Sequence, residues 1–481
     1  MTSATTHALK TFSILADLET PLSLFSKICD AEPTAFLLES AADESRLARF
    51  SFIGFSPVQT VCFKNGNATI KNVEGSNEVV VDNPLDYLKT EITKYLPPQT
   101  IPPKELADVP FFGGWVGYMG YGAIQYFETI PQQANDPLNV PDGYYGLYDA
   151  IICFDHYHRR ITLMTYRDDT EAKTLWENLL TIFNRPQSLG LLTSSSVAKD
   201  DVFDQVTVSQ QDTDFSNTIH HIKDRITEGQ VFQLVISRRF STPLDTSPLD
   251  VYRHLRAINP SPYTYYLKYP EFVYLGASPE TFVTCRQGKV VLRALAGTRP
   301  RGKTDEEDLR LEEELVNNEK ELAEHRMLVD LGRNDLGKIS QTGTVQVGQI
   351  ARVTRYSHVM HLSTEIQGTL RPDKTAYDAF QCCFPRGTVT GAPKHRAMTL
   401  LADLEPEHRG IYSGVVGYFD AQGNMDGAIA IRSALVKDGT AHVQAGAGVV
   451  YDSDPQAECD ETHNKAKGML TAIHLAKQGT T

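Results

Sequence analysis

Short segments rich in β-branched and aromatic residues recur along this 481-residue chain, and they constrain its fold more than any other feature. Two of them span residues 49–63 and 146–166, and a third, residues 271–294, has the pattern of a hairpin that turns at Gln287-Gly288. Segments with helical periodicity interrupt them at irregular intervals, so strands and helices do not alternate. We therefore predict an α+β fold built mainly from antiparallel sheet.

A stretch of weak periodicity divides the chain. Residues 184–205 contain a serine run, Pro186 and Gly190, which is typical of a linker. We therefore predict an N-terminal region over residues 10–183, a linker over 184–209 and a C-terminal region over 210–475 that carries the candidate chemistry.

Charge and cysteine content exclude several classes of protein. The net charge of −14 disfavours a nucleic-acid or anionic-membrane partner, since phosphate binding needs clustered Lys and Arg. Seven cysteines without a C-x-x-C pair indicate neither a disulfide framework nor a zinc site. The N-terminus lacks a secretory pattern, and no apolar run approaches the roughly 20 residues of a spanning helix. We predict a cytoplasmic protein with no membrane partner.

Two helices begin at recognisable capping residues. Thr304 and Glu307 form a capping-box pattern ahead of an acidic helix that extends to about residue 335, with a break near Asn317-Asn318. Asp454 followed by Pro455 has the pattern of an N-cap before a second long helix, residues 456–476.

Each of these helices carries a pair of glutamates three residues apart. Glu321 and Glu324 lie on the first helix, and Glu458 and Glu461 lie on the second. This spacing places both carboxylates of a pair on one helical face, and two such faces in opposition suit Mg²⁺. The alternative is that each pair belongs to an ordinary solvated helix face, where E-x-x-E is common.

Two glycine-containing segments are predicted as close-approach loops. Residues 384–398 combine glycine, threonine and proline ahead of a basic helix, an arrangement that can bind an anion. Their spacing does not match a phosphate-binding P-loop, so nucleotide binding is disfavoured. Residues 444–454 form the second segment, for which a tight turn or bulge is the alternative.

Several single residues are candidates because of their context. His358 and His361 face opposite ways if their segment is a strand, so at most one serves a given site. Glu280 is a candidate general acid if burial keeps it protonated. Arg432 is a charge inside an apolar run and needs an anionic partner or ligand.

Taken together, five motifs between residues 210 and 473 resemble the chorismate-utilising enzymes, and within them the large subunits of anthranilate synthases. The N-terminal segments LLES (37–40) and RFSFIG (49–54) are similar to that group as well. The resemblance implies a large fold of antiparallel sheets packed as a sandwich with helices outside. The motifs are AGTRPRG, AEHRMLVDLGRNDLG, GTVTGAPKHRAM, IYSGVVGYF and QAGAGVV with ETHNKAKG.

The same resemblance implies a chemistry and a set of residues. Chorismate binds with Mg²⁺, ammonia from a glutamine amidotransferase subunit adds at C2, the C4 hydroxyl leaves, and elimination of pyruvate gives anthranilate. Tryptophan is the implied feedback inhibitor. The residues implied by position are Glu280, His361, Thr388 and Lys465 for catalysis; Gly297, Thr298, Tyr412, Arg432, Gly446 and Gly448 for substrate; Glu324, Glu461, Glu321 and Glu458 for the metal; and Leu38, Glu39, Ser40, Pro262, Tyr263 and Thr264 for tryptophan.

Two positions bear on the nucleophile. Relatives that attack chorismate with lysine, or activate water with lysine, carry it where this chain has Ala296 and Gln233. The resemblance therefore implies an external amine. The alternatives are an aminodeoxychorismate synthase component I, and a non-catalytic tryptophan sensor.

Overall fold

The structure, a computed structural model, describes residues 8–40, 49–97, 102–131, 133, 135–187, 189–192, 201–355 and 359–479. No helix in those ranges combines the length and the apolar character needed to cross a membrane. The helices are α1 (Pro21–Cys29), α2 (Pro84–Tyr95), α3 (Asp169–Phe183), α4 (Asp212–Thr227), α5 (Pro248–Ile258), α6 (Asp305–Val316), α7 (Glu319–Gly337), α8 (Ala376–Cys383), α9 (Lys394–Leu404) and α10 (Pro455–Lys477).

Strands outnumber helices. In chain order they are β1 (Lys10–Leu15), β2 (Ala35–Glu39), β3 (Phe50–Phe55), β4 (Gln59–Lys64), β5 (Asn67–Asn72), β6 (Gly75–Val80), β7 (Gly114–Met119), β8 (Gly143–Tyr148), β9 (Ala150–Asp155), β10 (Arg160–Thr165), β11 (Thr207–Val208), β12 (Gln233–Pro243), β13 (Tyr263–Lys268), β14 (Phe272–Ser278), β15 (Thr281–Arg286), β16 (Lys289–Pro300), β17 (Gln346–Val347), β18 (Arg352–Arg355), β19 (Val359–Thr369), β20 (Gly391–Ala392), β21 (Val415–Asp420), β22 (Met425–Ile429), β23 (Ser433–Lys437) and β24 (Thr440–Val449).

The strands form two twelve-stranded sheets. The first has the order β1-β10-β9-β3-β2-β13-β14-β23-β24-β12-β11, with β20 added on β12. The second has the order β17-β19-β16-β15-β22-β21-β7-β8-β4-β5-β6, with β18 added on β19. Neighbouring strands such as β13 and β14, or β7 and β8, are antiparallel. The predicted α+β fold is confirmed.

Alternating side chains divide the first sheet into an inner and an outer face. Tyr265 and Tyr274 belong to the apolar core that also contains side chains of the second sheet. Their chain neighbours Tyr266 and Leu275 point the other way, into a core formed with α1, α5 and α10. The result is the predicted sandwich, with helices covering its outside.

Both sheets contain strands from both ends of the chain. In the first sheet β2 pairs with β13, so Leu38 lies opposite Tyr265. In the second sheet β7 pairs with β21. Part of the predicted linker, residues 188 and 193–200, lies outside the described residues. Val202 just beyond it is buried against the outer core, and the region boundaries stay a prediction.

The local predictions can be compared with the elements that form. The hairpin turns at Gln287 and Gly288, whose φ values of 51° and 76° suit a tight two-residue turn. The acidic helix divides into α6 and α7 at the predicted asparagines, and Asp454 caps α10 through the N–H of Ala457.

Two local details differ from prediction. The Thr304 hydroxyl caps α6 as predicted, but the Glu307 carboxylate accepts from the N–H of Lys303 rather than from Thr304. The predicted loop at 444–454 was wrong over its first half, because β24 continues to Val449 in register with β12.

Candidate active site

The glutamates of α7 and α10 are close enough to interact, since Glu461 acts electrostatically on Glu324. The Nε2 of Gln233, on β12, donates to Glu324 Oε1 at 2.8 Å. Burial is the main cause that raises the pKa of Glu324, and the nearby carboxylates of Glu321 and Glu461 raise it further. The two predicted pairs therefore share one electrostatic environment.

Glu458 and Lys465 complete the α10 side of this environment. Glu458 is 7% exposed, and its Oε2 has no hydrogen-bond partner among the described residues. Burial raises the pKa of Glu458, and Glu461 adds to the effect. The Nζ of Lys465 lies 2.5 Å from Glu461 Oε1 and donates to the Gly446 carbonyl at 2.8 Å.

This donor set fits a divalent cation, although none of the described His, Cys, Asp and Glu side chains converge in threes or more as a ready metal cluster. The fit rests on excess buried negative charge and on the unpartnered Oε2 of Glu458. A hard cation with oxygen ligands is the ion that such a set selects. Magnesium stays a prediction.

His361 is held at a bulge in the β16–β19 pair. The register shifts between Ala296 and Thr298, and Gly297 adopts a φ of 62°. The Nδ1 of His361 lies 2.9 Å from the Gly297 carbonyl and 3.0 Å from Thr298 Oγ1. Because a carbonyl only accepts, this nitrogen carries the proton and Nε2 is the basic one. Burial lowers the pKa of His361, which favours the neutral ring. His358 lies outside the described residues.

Arg432 lies at the bend between β22 and β23 with a φ of 53°. Burial lowers its pKa, and Tyr412, Glu280 and Glu461 oppose that effect. Glu280 also raises the pKa of His361, so this half-buried carboxylate acts on both the arginine and the histidine. Burial raises the pKa of Tyr412 to about 12, which leaves a neutral phenol that can donate.

The floor of the site is the backbone of β24 at Gly446 and Gly448. A Cβ at Gly446 would lie 2.8 Å from the Ile236 carbonyl and 2.9 Å from Tyr412 Oη. A Cβ at Gly448 would lie 2.9 Å from the Nε2 of Gln233. Glycine at both positions therefore leaves room above β24.

The predicted anion-binding loop also reaches this floor. A short 3-10 turn spans Gly387–Val389, and β20 then pairs with the start of β12. Thr388 Oγ1 is buried and has no partner among the described residues. A buried hydroxyl without a partner is available to a ligand.

A model for the family of chorismate binding enzymes matches residues 33–471. This chain belongs to the chorismate binding enzyme family. The resemblance inferred from the motifs is thereby confirmed.

Relatives and solved structures support the same assignment. The chain is 42% identical over 473 residues to anthranilate synthase component 1 of Streptomyces coelicolor, covering 96% of this chain and 88% of the relative. It is 38% identical over 491 residues to that of Acetivibrio thermocellus, covering 97% and 95%. The crystal structure of anthranilate synthase component I from Streptococcus pneumoniae has a TM-score of 0.78 at 38% identity, covering 89% of this chain and 93% of that one. MenF, a menaquinone-specific isochorismate synthase from Escherichia coli, has a TM-score of 0.70 at 19% identity over 97% and 95% of the two chains, a likeness of fold alone.

Besides the candidate active site, this chorismate binding enzyme has a second site, a cavity of about 480 Å³ between its two sheets. All six residues predicted to bind tryptophan line it, because the pairing of β2 with β13 brings the two segments side by side. Ser40 Oγ is buried there without a partner among the described residues. Arg49, Asp426 and Tyr418 also line the cavity, and sequence patterns had not marked them as site residues.

The sequence analysis of this chorismate binding enzyme also missed a buried ion pair behind the floor. Glu405 and Arg409 join at 2.7 Å, with side chains 5% and 1% exposed. Both residues lie in the segment that follows α9, where charged residues are ordinarily exposed, so the sequence gave no signal for burial.

Proposed function

We propose that the protein is the large subunit of an anthranilate synthase, which converts chorismate and ammonia to anthranilate, pyruvate and water. The observation that carries the proposal is the meeting of the α7 and α10 carboxylates beside Arg432, Tyr412 and His361. The relatives named anthranilate synthase component 1 support the choice of reaction within the family.

A substrate with two carboxylates needs cationic partners in this acidic site. Glu324 and Glu461 would hold a magnesium ion, with Glu321 and Glu458 beside them. A bound dication supplies charge neutralisation for the ring carboxylate and for the leaving oxygen. Arg432 then takes the second carboxylate.

Neutral groups orient the rest of the substrate. Tyr412 donates to the second carboxylate as a neutral phenol, since burial keeps its pKa at about 12. Thr388 Oγ1 donates to the same ligand. The N–H groups of Gly446 and Gly448 lie on the same floor.

The nucleophile comes from outside the chain. At the two positions where relatives carry a reactive lysine, this chain has Ala296 and Gln233, and Gln233 is engaged by Glu324. Lys465 is paired with Glu461 and with the Gly446 carbonyl. Ammonia delivered by a glutamine amidotransferase subunit therefore attacks C2, and small Ala296 leaves room for it.

Proton movements fall to two residues. Glu280 protonates the C4 hydroxyl as it leaves as water. His361 carries its proton on Nδ1, which faces the Gly297 carbonyl, so Nε2 is its basic nitrogen. A neutral imidazole in this position removes the C2 proton when pyruvate is eliminated and the ring becomes aromatic.

Product identification tests the proposal. Purified protein is incubated with chorismate, Mg²⁺ and ammonium, and the aromatic product is separated by chromatography. Ortho-aminobenzoate supports the proposal, whereas para-aminobenzoate assigns the chain to aminodeoxychorismate synthesis. A folded protein that binds tryptophan but does not turn over chorismate is a sensor.

The second cavity is the site of feedback inhibition. Its size suits one amino acid with an aromatic side chain, and Ser40 Oγ offers an uncommitted polar contact. Tryptophan, the end product of the pathway that anthranilate enters, is the ligand that we assign to it.

A further inference from the structure

The buried pair Glu405–Arg409 bonds to the 387–389 turn and to β12, the two segments that adjoin the β24 floor of the active site. Arg409 Nε donates to Glu405 Oε2 and Nη2 donates to Oε1, both at 2.7 Å. The same guanidinium donates to the carbonyls of Val389 and Val235 at 2.7 Å and to Ser413 Oγ at 3.2 Å. Arginine has five N–H donors, and these five bonds use all of them.

The backbone partners of Arg409 are neighbours of the proposed substrate contacts. Val389 follows Thr388, so its carbonyl fixes the turn that presents the Thr388 hydroxyl. Val235 lies opposite Gly448 in the β12–β24 register. One side chain thereby sets the distance between the loop and the strand that bound the site.

The carboxylate of Glu405 extends the network along the floor. Its Oε1 accepts from the N–H of Ser237 at 2.8 Å and from Ser237 Oγ at 2.7 Å. Ser237 lies opposite Gly446, the second glycine of the floor. The Nε2 of Gln444, on β24, donates to Ser237 Oγ at 2.9 Å, which ties the two strands together.

Arg409 also lies between two tyrosines. Its guanidinium carbon is 5.9 Å from the ring centre of Tyr412 and 4.7 Å from that of Tyr121. Cation–π contacts of this kind favour one ring position over others. Tyr412 Oη is in turn the atom that a Cβ at Gly446 would meet at 2.9 Å, so a shift of this ring changes the space available to the ligand.

We propose that Glu405 and Arg409 are positioning residues for chorismate, which set the relative places of Thr388, Tyr412 and the Gly446–Gly448 floor. The inference rests on the proposed function. Neither side chain touches the substrate. A buried ion pair is weak evidence for stability, since apolar side chains of similar size often serve as well. Here the pair serves to fix geometry, because the planar guanidinium of Arg409 holds hydrogen-bond partners in three directions at once.

The test separates positioning from stability with three variants. Arg409→Met leaves Glu405 buried without its cation and strongly lowers the melting temperature. Glu405→Gln combined with Arg409→Met removes both charges and recovers much of that loss. Arg409→Lys keeps the charge but cannot form the fork, so it retains the fold.

Steady-state kinetics and calorimetry with chorismate then decide. We expect all variants that fold, the double variant included, to show a KM for chorismate raised by about 10- to 100-fold, as for one or two lost charged hydrogen bonds. A purely structural role predicts that KM returns to the wild-type value in the double variant along with the melting temperature. Wild-type KM in the double variant or in Arg409→Lys overturns the proposal.

A neighbouring ion pair provides the matched control. Glu407 lies two residues beyond Glu405 and pairs with Arg239, and no recorded contact of Glu407 reaches the 387–389 turn or Tyr412 in the described residues. Glu407→Gln is expected to change KM by less than about twofold. Calorimetry measures the affinity for chorismate and does not depend on which product forms. If the wild-type protein makes another aminobenzoate, its affinity can still be compared with that of each variant, so this test stays distinct from product identification.

Discussion

Removal of one hydroxyl, in Ser40→Ala, tests the second cavity without disturbing the candidate active site. Ser40 Oγ is buried and has no partner among the described residues, so the change breaks no recorded hydrogen bond. We therefore expect the free energy of unfolding without tryptophan to stay within about 0.5 kcal/mol of wild type, because the usual loss comes from groups left unpaired.

The expected loss of tryptophan inhibition follows from the same unpartnered hydroxyl. The hydroxyl gains a partner only when the ligand binds, and a hydrogen bond to a charged ligand group contributes about 1.5–3 kcal/mol. Inhibition should therefore weaken by about 10- to 100-fold. The rate without tryptophan should not change, since Ser40 lines the second cavity and not the active site.

The assay follows anthranilate formation over a series of tryptophan concentrations, together with melting curves with and without tryptophan. Ser51→Ala is the matched control, since Ser51 Oγ is paired with His156 Nε2 at 2.8 Å. We expect Ser51→Ala to lower stability by about 1 kcal/mol and to retain inhibition. Unchanged inhibition in Ser40→Ala, or a loss of stability as large as in Ser51→Ala, would refute the reasoning.

Three further predictions concern the active site and the core. Glu461→Gln should abolish turnover at every Mg²⁺ concentration and weaken Mg²⁺ binding in calorimetry while circular dichroism is unchanged; near-normal binding would remove Glu461 from the metal site. Gly297→Ala should lower the free energy of unfolding by about 1–2 kcal/mol and should also lower kcat, since the φ of 62° is strained for alanine and its Cβ would lie 2.8 Å from Leu315. Burial raises the pKa of Asp426 to about 6 from its ordinary value of 3.8, so the folded state holds this proton more tightly and the contribution of Asp426 to stability falls by about 3 kcal/mol as pH rises from about 4 to 6. Asp426→Asn should remove that fall in urea titrations across this pH range, and an unchanged pH dependence would contradict it.

The sequence was sufficient to predict which face of its own helix a side chain occupies and where that helix begins. The three-residue spacing fixed the phase of Glu321 with Glu324 on α7, and capping residues fixed where α6 and α10 begin. These are properties of neighbours along the chain, which local sterics and hydrogen bonding determine. The opposition of the two helices came only from the family resemblance, because it depends on which strands pair.

Long-range pairing explains what the sequence patterns missed. The glycines Gly446 and Gly448 suggested a turn, yet β12 pairs with that segment from a distance of about 200 residues and makes it a strand. The sequence analysis did not mark Glu405 and Arg409, which follow α9 and are buried by the packed β12 and the 387–389 turn. The hydrophobic periodicity of a segment does not indicate which distant segment packs against it.

The exchange of strands between the two ends of the chain has a consequence for biosynthesis. While the ribosome is still making the first 260 residues, β2 lacks β13 and β7 lacks β21, so both growing sheets expose an unpaired edge. Pairings of such high sequence separation are slow to form and prone to aggregation until the last strands emerge. We therefore expect the two sheets to be completed after translation. Overproduction in a chaperone-depleted host should yield inclusion bodies more readily than a truncated N-terminal fragment that is folded.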